Sequence, residues 1–157
     1  MDLSKLADGI SLSIFVPFLY FTWEIIAVPS TRKGNIYLLL MTVVVALTAG
    51  LLKKVIPSPR PEGAKGCGLY NEETGKENGM PSVHMAVVMF FLMILWIRYH
   101  KSNIFWILAS IWLGLMAWAR WYKECHTPLQ ILGGVGYGYA LLYASIPLMY
   151  LFMAYFH

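Results

Sequence analysis

Residues 36–52 read IYLLLMTVVVALTAGLL, a run without a single charge that ends abruptly at Lys53-Lys54. A helix on the surface of a soluble domain keeps one polar face, whereas this run is apolar all the way round. As an α-helix it would reach about 26 Å at 1.5 Å per residue, close to the hydrocarbon thickness of a bilayer. Working outward, four more such blocks occupy residues 9–28, 82–98, 103–119 and 129–156; the first is interrupted by Pro17 and carries Glu24. The whole chain is 59% hydrophobic and 13% charged, with mean hydropathy +0.60. Soluble domains carry about a quarter charged residues, so this composition excludes them, along with disordered chains and coiled coils. Two cysteines are too few for a secreted disulfide scaffold. Outer-membrane strands would alternate apolar and polar positions over about ten residues, and these blocks do not. The expected fold is all-α: a polytopic membrane helix bundle with about five transmembrane helices and a long active-site loop, forming one domain over residues 1–157. The first block is long enough to remain in the membrane, so no cleavable signal peptide is expected.

The connections at 29–35 and 99–102 are short and imply antiparallel hairpins. The segment 53–80 is different: it is rich in Pro and Gly and holds more charge than any other stretch. Unstructured loops longer than about 12–15 residues tend to be functional. With five spans, the N-terminus, loop 53–80 and loop 120–128 share one face of the membrane. That face has eight basic residues (Lys5, Lys53, Lys54, Arg60, Lys65, Lys76, Arg120, Lys123) and seven acids (Asp2, Asp8, Glu62, Glu72, Glu73, Glu77, Glu124). The opposite face has Arg32, Lys33, Arg98 and Lys101 and no acid. A bare count of Lys and Arg would put the first face in the cytoplasm. Several of its cations have a chemical job, however, and its loop is long, so the expectation is a lumenal or extracytoplasmic face, in the endoplasmic reticulum membrane if the cell is eukaryotic.

Everything reactive falls at span ends on that face. Lys53 closes span 2, and Arg60-Pro61 follows; Pro81-Ser82-Val83-His84 opens span 3. Arg120 closes span 4, and His126 opens span 5 with Thr127-Pro128-Leu129-Gln130. Three cations and two imidazoles at one membrane depth suit a phosphoryl group, whose transition state spreads negative charge over its equatorial oxygens. Arg supplies planar bidentate donors and Lys a compact point charge. Pro81 at a first helical position would leave the Ser82 and Val83 N–H groups free to meet an anion. One imidazole can attack phosphorus while the other protonates the leaving oxygen. No carboxylate cluster suggests a divalent metal, and neither metal nor other cofactor is expected.

The pattern Lys53-x6-Arg60-Pro61, Pro81-Ser82-Val83-His84 and Arg120-x5-His126-x3-Gln130 resembles the three-part signature of the type 2 phosphatidic acid phosphatase and haloperoxidase superfamily. The resemblance covers about ten positions. It implies His126 as the nucleophile that forms a phosphohistidine and His84 as the general acid. Lys53, Arg60 and Arg120 would hold the phosphate, with Ser82 donating to it and Val83 at the same helix start. Val83 stands where the family usually has Gly, Ala119 where it has Ser, and Gln130 where it has Asp. His-x3-Gln also occurs in the dolichyl diphosphatase and glucose-6-phosphatase branches. The run Gly79-Met80-Pro81-Ser82-x-His84 with His126-Thr127-x-x-Gln130 is most similar to the dolichyl (polyprenyl) diphosphate phosphatases. The implied activity is hydrolysis of a polyprenyl diphosphate to the monophosphate. A phosphatidic acid or other lipid phosphate phosphatase, a sugar-phosphate phosphatase, and a non-catalytic lipid-binding protein with a decayed site are the alternatives. Expected partners are the lipid phosphate or diphosphate substrate and membrane lipids, with no nucleic acid.

Several residues have plainer readings. Lys53 and Lys54 alone would be snorkelling flanks of span 2, and either histidine alone an interfacial residue. Gln130 can orient His126 or complete a capping box with Thr127. Glu24 would pair with Arg32 or reach the interface. Gly134-x3-Gly138 would pack span 5 against a neighbour, or form a homodimer seam. Cys67 and Cys125 share a face, so an oxidising lumen would permit a disulfide.

Overall fold

The computed structural model describes residues 2–64, 67, 78–99 and 102–155. Lys65, Glu72, Glu73, Lys76, Glu77 and Lys101 from the charge count, and Phe156 from the last span, lie outside the described residues. Among those described, the elements are helical: α1 (Leu3–Leu12), α2 (Val16–Ala27), α3 (Arg32–Val55), α4 (Val83–Tyr99), α5 (Asn103–Tyr122) and α6 (Pro128–Tyr155). The first apolar block is split in two. A single 3₁₀ turn, Ser13–Phe15, separates α1 from α2, and Pro17 sits in the first turn of α2, where its missing N–H costs nothing. The Ser13 hydroxyl donates to the Ile10 carbonyl at 2.6 Å and accepts from the Trp112 indole at 2.8 Å. The bend thereby lets α1 lie against α5 while α2 lies against α3.

Four segments are long and apolar enough to cross a membrane: Leu3–Ala27, Pro29–Val55, Asn103–Tyr122 and Pro128–Tyr155. The fifth expected span, α4, is shorter at 17 residues. Its neighbours explain its uniform apolarity. It is surrounded by α6, α3, α5 and α2, and Met85–Val88 and Phe90–Ile94 are all buried. Phe91 meets Phe21 edge-to-face at 5.5 Å and Trp112 at 6.0 Å, so one ring links α2, α4 and α5. Leu19, Ile26, Leu47, Ile107 and Leu151 point outward, as a lipid-facing surface requires.

The glycines of α6 serve packing inside the chain. A Cβ at Gly134 would strike the Ser82 carbonyl and Met85, and one at Gly138 would strike the Ala86 backbone, whereas Gly136 faces open space. The α4 backbone therefore fills the stripe that would otherwise be a homodimer seam.

The far end from the long loop carries a buried polar network. The Asn35 amide donates to Glu24 Oε2 at 3.2 Å and to Thr31 Oγ1 at 2.9 Å, and Arg98 Nη2 donates to Asn35 Oδ1 at 2.6 Å. The expected pairing of Glu24 with Arg32 does not occur; Arg32 Nε donates to the Ile25 carbonyl instead. Asn35, in the first turn of α3, is braced by Thr31 just before the helix and faces Glu24, and a buried carboxylate requires such a donor.

Candidate active site

His126 is bracketed by two fixed neighbours. On one side, α5 ends in a Schellman motif: Glu124 N–H donates to the Trp121 carbonyl at 2.8 Å and Cys125 N–H to the Arg120 carbonyl at 3.0 Å. Glu124 occupies the left-handed position (φ 53°) that glycine usually takes. Cys125 is then bonded to Cys67 in a disulfide, with a Cα–Cα separation of 5.4 Å. The long loop is thus tied to the α5–α6 turn one residue before His126. On the other side, Thr127 and Gln130 form a capping box. Thr127 N–H donates to Gln130 Oε1 at 3.1 Å, and Gln130 N–H donates to Thr127 Oγ1 at 3.3 Å.

That box decides between the two readings of Gln130. Its side chain does not orient His126; Nδ1 of that imidazole is buried without a hydrogen-bond partner among the described residues. The Gln130 amide instead donates to the Ser58 carbonyl (3.0 Å), Ser58 Oγ (3.0 Å) and the Pro59 carbonyl (2.9 Å). These acceptors lie just ahead of Arg60, so Gln130 fixes the start of the loop relative to the start of α6. Gly79 makes room, since a Cβ there would overlap the Gln130 side chain. The same knot is closed by Gly79 N–H donating to Ser58 O at 2.7 Å and Ser58 N–H to Asn78 Oδ1 at 2.9 Å. Ser58 is a contributor that sequence reasoning missed, and Gly79, quoted there only within the family-like run, was given no role; the Pro57-Ser58-Pro59 and Asn78-Gly79 turn signals were the available hints.

The start of α4 also departs from expectation. The Met80–Pro81 peptide is cis and the helix begins at Val83, so Pro81 is outside it. Ser82 N–H is taken by the Gln130 carbonyl at 3.1 Å, and Ala86 N–H donates to Ser82 O at 3.0 Å. Ser82 therefore stands at the N-cap. Its hydroxyl is buried and has no partner among the described residues. Val83 opens the first turn with its apolar side chain packed on the core.

The charges that act on the His126 imidazole are all positive. Burial, followed by the positive charges of Lys53, Arg120 and Arg60 and the neighbouring His84, pushes its pKa down to about 2. The imidazole is therefore neutral, with a lone pair available. Arg120, Lys53, Lys123 and Arg60 also act on His84. Residues from the end of α3, the loop, the start of α4 and the end of α5 thus share one electrostatic site. Arg120 is 2% exposed and His126 1%. The Arg120 Nε is buried with no hydrogen-bond partner among the described residues, an expensive arrangement unless an anion is expected there. A cleft of about 390 Å³ opens on His126, lined by Pro61, Gly63, Trp121 and Pro128 and by the acidic residues Glu62 and Glu124. Among the described residues, no group of three His, Cys, Asp or Glu side chains is placed to hold a metal ion.

Comparison with known proteins agrees with this geometry. The sequence profile of the PAP2 superfamily matches residues 34–154. Dolichyldiphosphatase 1 of Homo sapiens is 35% identical over 104 residues, covering 56% of this chain and 42% of that protein. The Callithrix jacchus protein of the same name gives the same identity and coverage. The chain thus spans less than half the length of the curated relatives it matches. Among solved structures, a crystal structure described as the first transmembrane PAP2-type phosphatidylglycerolphosphate phosphatase, from Bacillus subtilis, superposes with TM-score 0.67. It is 22% identical, over 90% of this chain and 74% of that one, a likeness of fold.

Proposed function

Since the chain belongs to the PAP2 superfamily, we propose that it is a membrane phosphatase hydrolysing polyprenyl (dolichyl) diphosphate to the monophosphate without a metal. One observation carries the reading: a buried, neutral His126 lies among cations from three separate stretches of chain, at a membrane-interface cleft. The dolichyldiphosphatase relatives favour the isoprenoid diphosphate over phosphatidic acid. A decayed site would gain stability by shedding clustered cations, whose self-repulsion and desolvation oppose folding.

In this mechanism, Arg60, Arg120 and Lys53 grip the terminal phosphate, and the Arg120 Nε and Ser82 hydroxyl supply donors. The unprotonated nitrogen of His126 attacks phosphorus in line. The P–O bond to the departing lipid monophosphate breaks, and His84, which enters the step as an imidazolium stabilised by the negative charge of the bound substrate, gives that oxygen its proton. The neutral His84 then accepts a proton from water as it attacks the phosphohistidine; the P–N bond breaks, inorganic phosphate leaves, and His126 is again a neutral imidazole and His84 an imidazolium. The cations stabilise charge on the equatorial oxygens, the part a divalent metal plays elsewhere. The site faces the lumenal or extracytoplasmic side, a reading supported by the disulfide beside it, because such bonds persist in oxidising compartments.

The test is phosphate release from polyprenyl diphosphate, with and without EDTA, alongside a panel of phosphatidic acid and sugar phosphates. Release that survives EDTA, prefers the isoprenoid diphosphate and is blocked by vanadate is expected. Loss of release under EDTA would remove the metal-free mechanism, and preference for phosphatidic acid would remove the substrate assignment.

A further inference from the structure

Arg120 is fastened at both ends to the same disulfide. Its backbone carbonyl accepts from Cys125 N–H at 3.0 Å. Its guanidinium Nη2 donates to the Cys67 carbonyl at 2.9 Å, and Cys67 is covalently bonded to Cys125 across 58 residues of sequence. The remaining terminal nitrogen, Nη1, is 3.4 Å from Ser11 Oγ, a longer contact reaching across from α1. Lys123 and Asp8 form an ion pair between the same two elements. Ser11 and Asp8 precede residue 34, where the superfamily profile begins to match. With both terminal nitrogens engaged, the buried Nε is the part of the fork that has no partner among the described residues.

A guanidinium binds an oxyanion well only when its plane is set beforehand. The Cys67 carbonyl sets that plane, and the S–S bond ties Cys67 covalently to the turn that follows Arg120. We propose that the Cys67–Cys125 disulfide and, to a smaller degree, Ser11 are positioning elements for Arg120, so that the site grips an anion fully only in its oxidised form. This rests on the reading of Arg120 as a phosphate ligand. Reduction by a dithiol such as dithiothreitol places two electrons in the S–S bond. With two protons, that yields the Cys67 and Cys125 thiols, while the dithiol closes to its own cyclic disulfide. The covalent tie that holds the Cys67 carbonyl against Arg120 is then gone, whereas the Schellman turn, made of main-chain bonds, stays.

Orthovanadate binding to the full chain in detergent, measured by calorimetry, tests the proposal without depending on the lipid. The oxidised protein is compared with protein reduced by dithiothreitol, the thiols being counted by alkylation and mass. Reduction is expected to raise the vanadate Kd about tenfold or more, since misplacement by about 1 Å can cost 10²-fold. Reoxidation should restore it. The double variant C67S/C125S should match the reduced protein and ignore dithiothreitol. Ser11→Ala should weaken binding several-fold, and Ser11→Thr, which keeps the hydroxyl, should recover it. With lipid substrate the loss should fall on KM more than on kcat. An unchanged Kd in fully reduced protein would overturn the proposal, as would a loss that merely tracks loss of helical circular dichroism. If oxidised protein binds no vanadate, the phosphate-site reading itself fails; equal binding by both forms sinks only the positioning role.

Discussion

At one end of the bundle Glu24 receives the Asn35 amide, and Asn35 in turn receives Arg98. At the other end Arg120 and His126 lie equally buried, yet Nε of the first and Nδ1 of the second meet no partner among the described residues. Both ends hold ionisable groups out of water, so burial alone does not distinguish a structural network from a reactive site. The difference is completion. The Glu24 end closes on itself with charges of both signs, as a buried polar network must to stabilise anything. At the His126 end the charges acting on the imidazole are all positive, and buried donors are left unspent even though Glu62 and Glu124 line the cleft, which is what a protein needs where an anion completes the set.

That contrast can be tested from the strongest effect to the weakest. His126→Ala should lower phosphate release by about 10³-fold or more, as removal of a nucleophile does elsewhere, with the helical fold kept by circular dichroism. Arg120→Ala should cost about 10²–10³ in kcat/KM, the usual size of effect for deleting one preorganised donor; Arg120→Lys should recover only part, since an ammonium cannot reproduce the fork. Gln130→Glu should lower kcat/KM about tenfold, because a carboxylate can accept from Thr127 N–H but cannot donate to the Ser58 and Pro59 carbonyls. A rise in activity in that variant would show that residue 130 acts on His126 after all. The pH profile gives a sign as well. With its pKa at about 2, His126 does not protonate as pH falls through the ordinary histidine range. The acid limb of kcat/KM between about pH 5 and 8 should therefore contain no ionisation that disappears in a His126 variant with residual activity. Smallest for catalysis is the far end: Asn35→Ala should leave kcat/KM within about twofold while destabilising the protein by about 1–3 kcal/mol, because Glu24 stays buried without its amide.

The membrane blocks were readable because apolarity is a property of each residue and needs no partner. α3 extends four residues before and three beyond the expected 36–52, the ordinary imprecision of helix ends. The clustering of Lys53, Arg60, His84, Arg120 and His126 was foreshadowed because charge is confined to span ends, so spacing along the chain becomes depth in the bilayer. What spacing could not carry was rotamer choice. Gln130 had two chemically sound partners, and the one present depends on Ser58 and Gly79 arriving from far along the chain. Pro81 looked like a helix start, yet Ser82 takes that end because its N–H is claimed by the Gln130 carbonyl. Glu24 looked toward Arg32, the nearest cation in sequence, and found Asn35 because both lie on the inner faces of α2 and α3.

His84 and His126 stand near the starts of α4 and α6, the two helices that meet backbone to backbone at Gly134 and Gly138. The gap across which the proposed mechanism handles a proton and a phosphoryl group is therefore metered lower down, by the close approach of α4 to two positions of α6 that have no Cβ. Such a caliper has one setting. Even a methyl at position 138 would act as a wedge and open the jaws at the top, whereas a methyl at 136, which faces open space, would leave the gauge untouched.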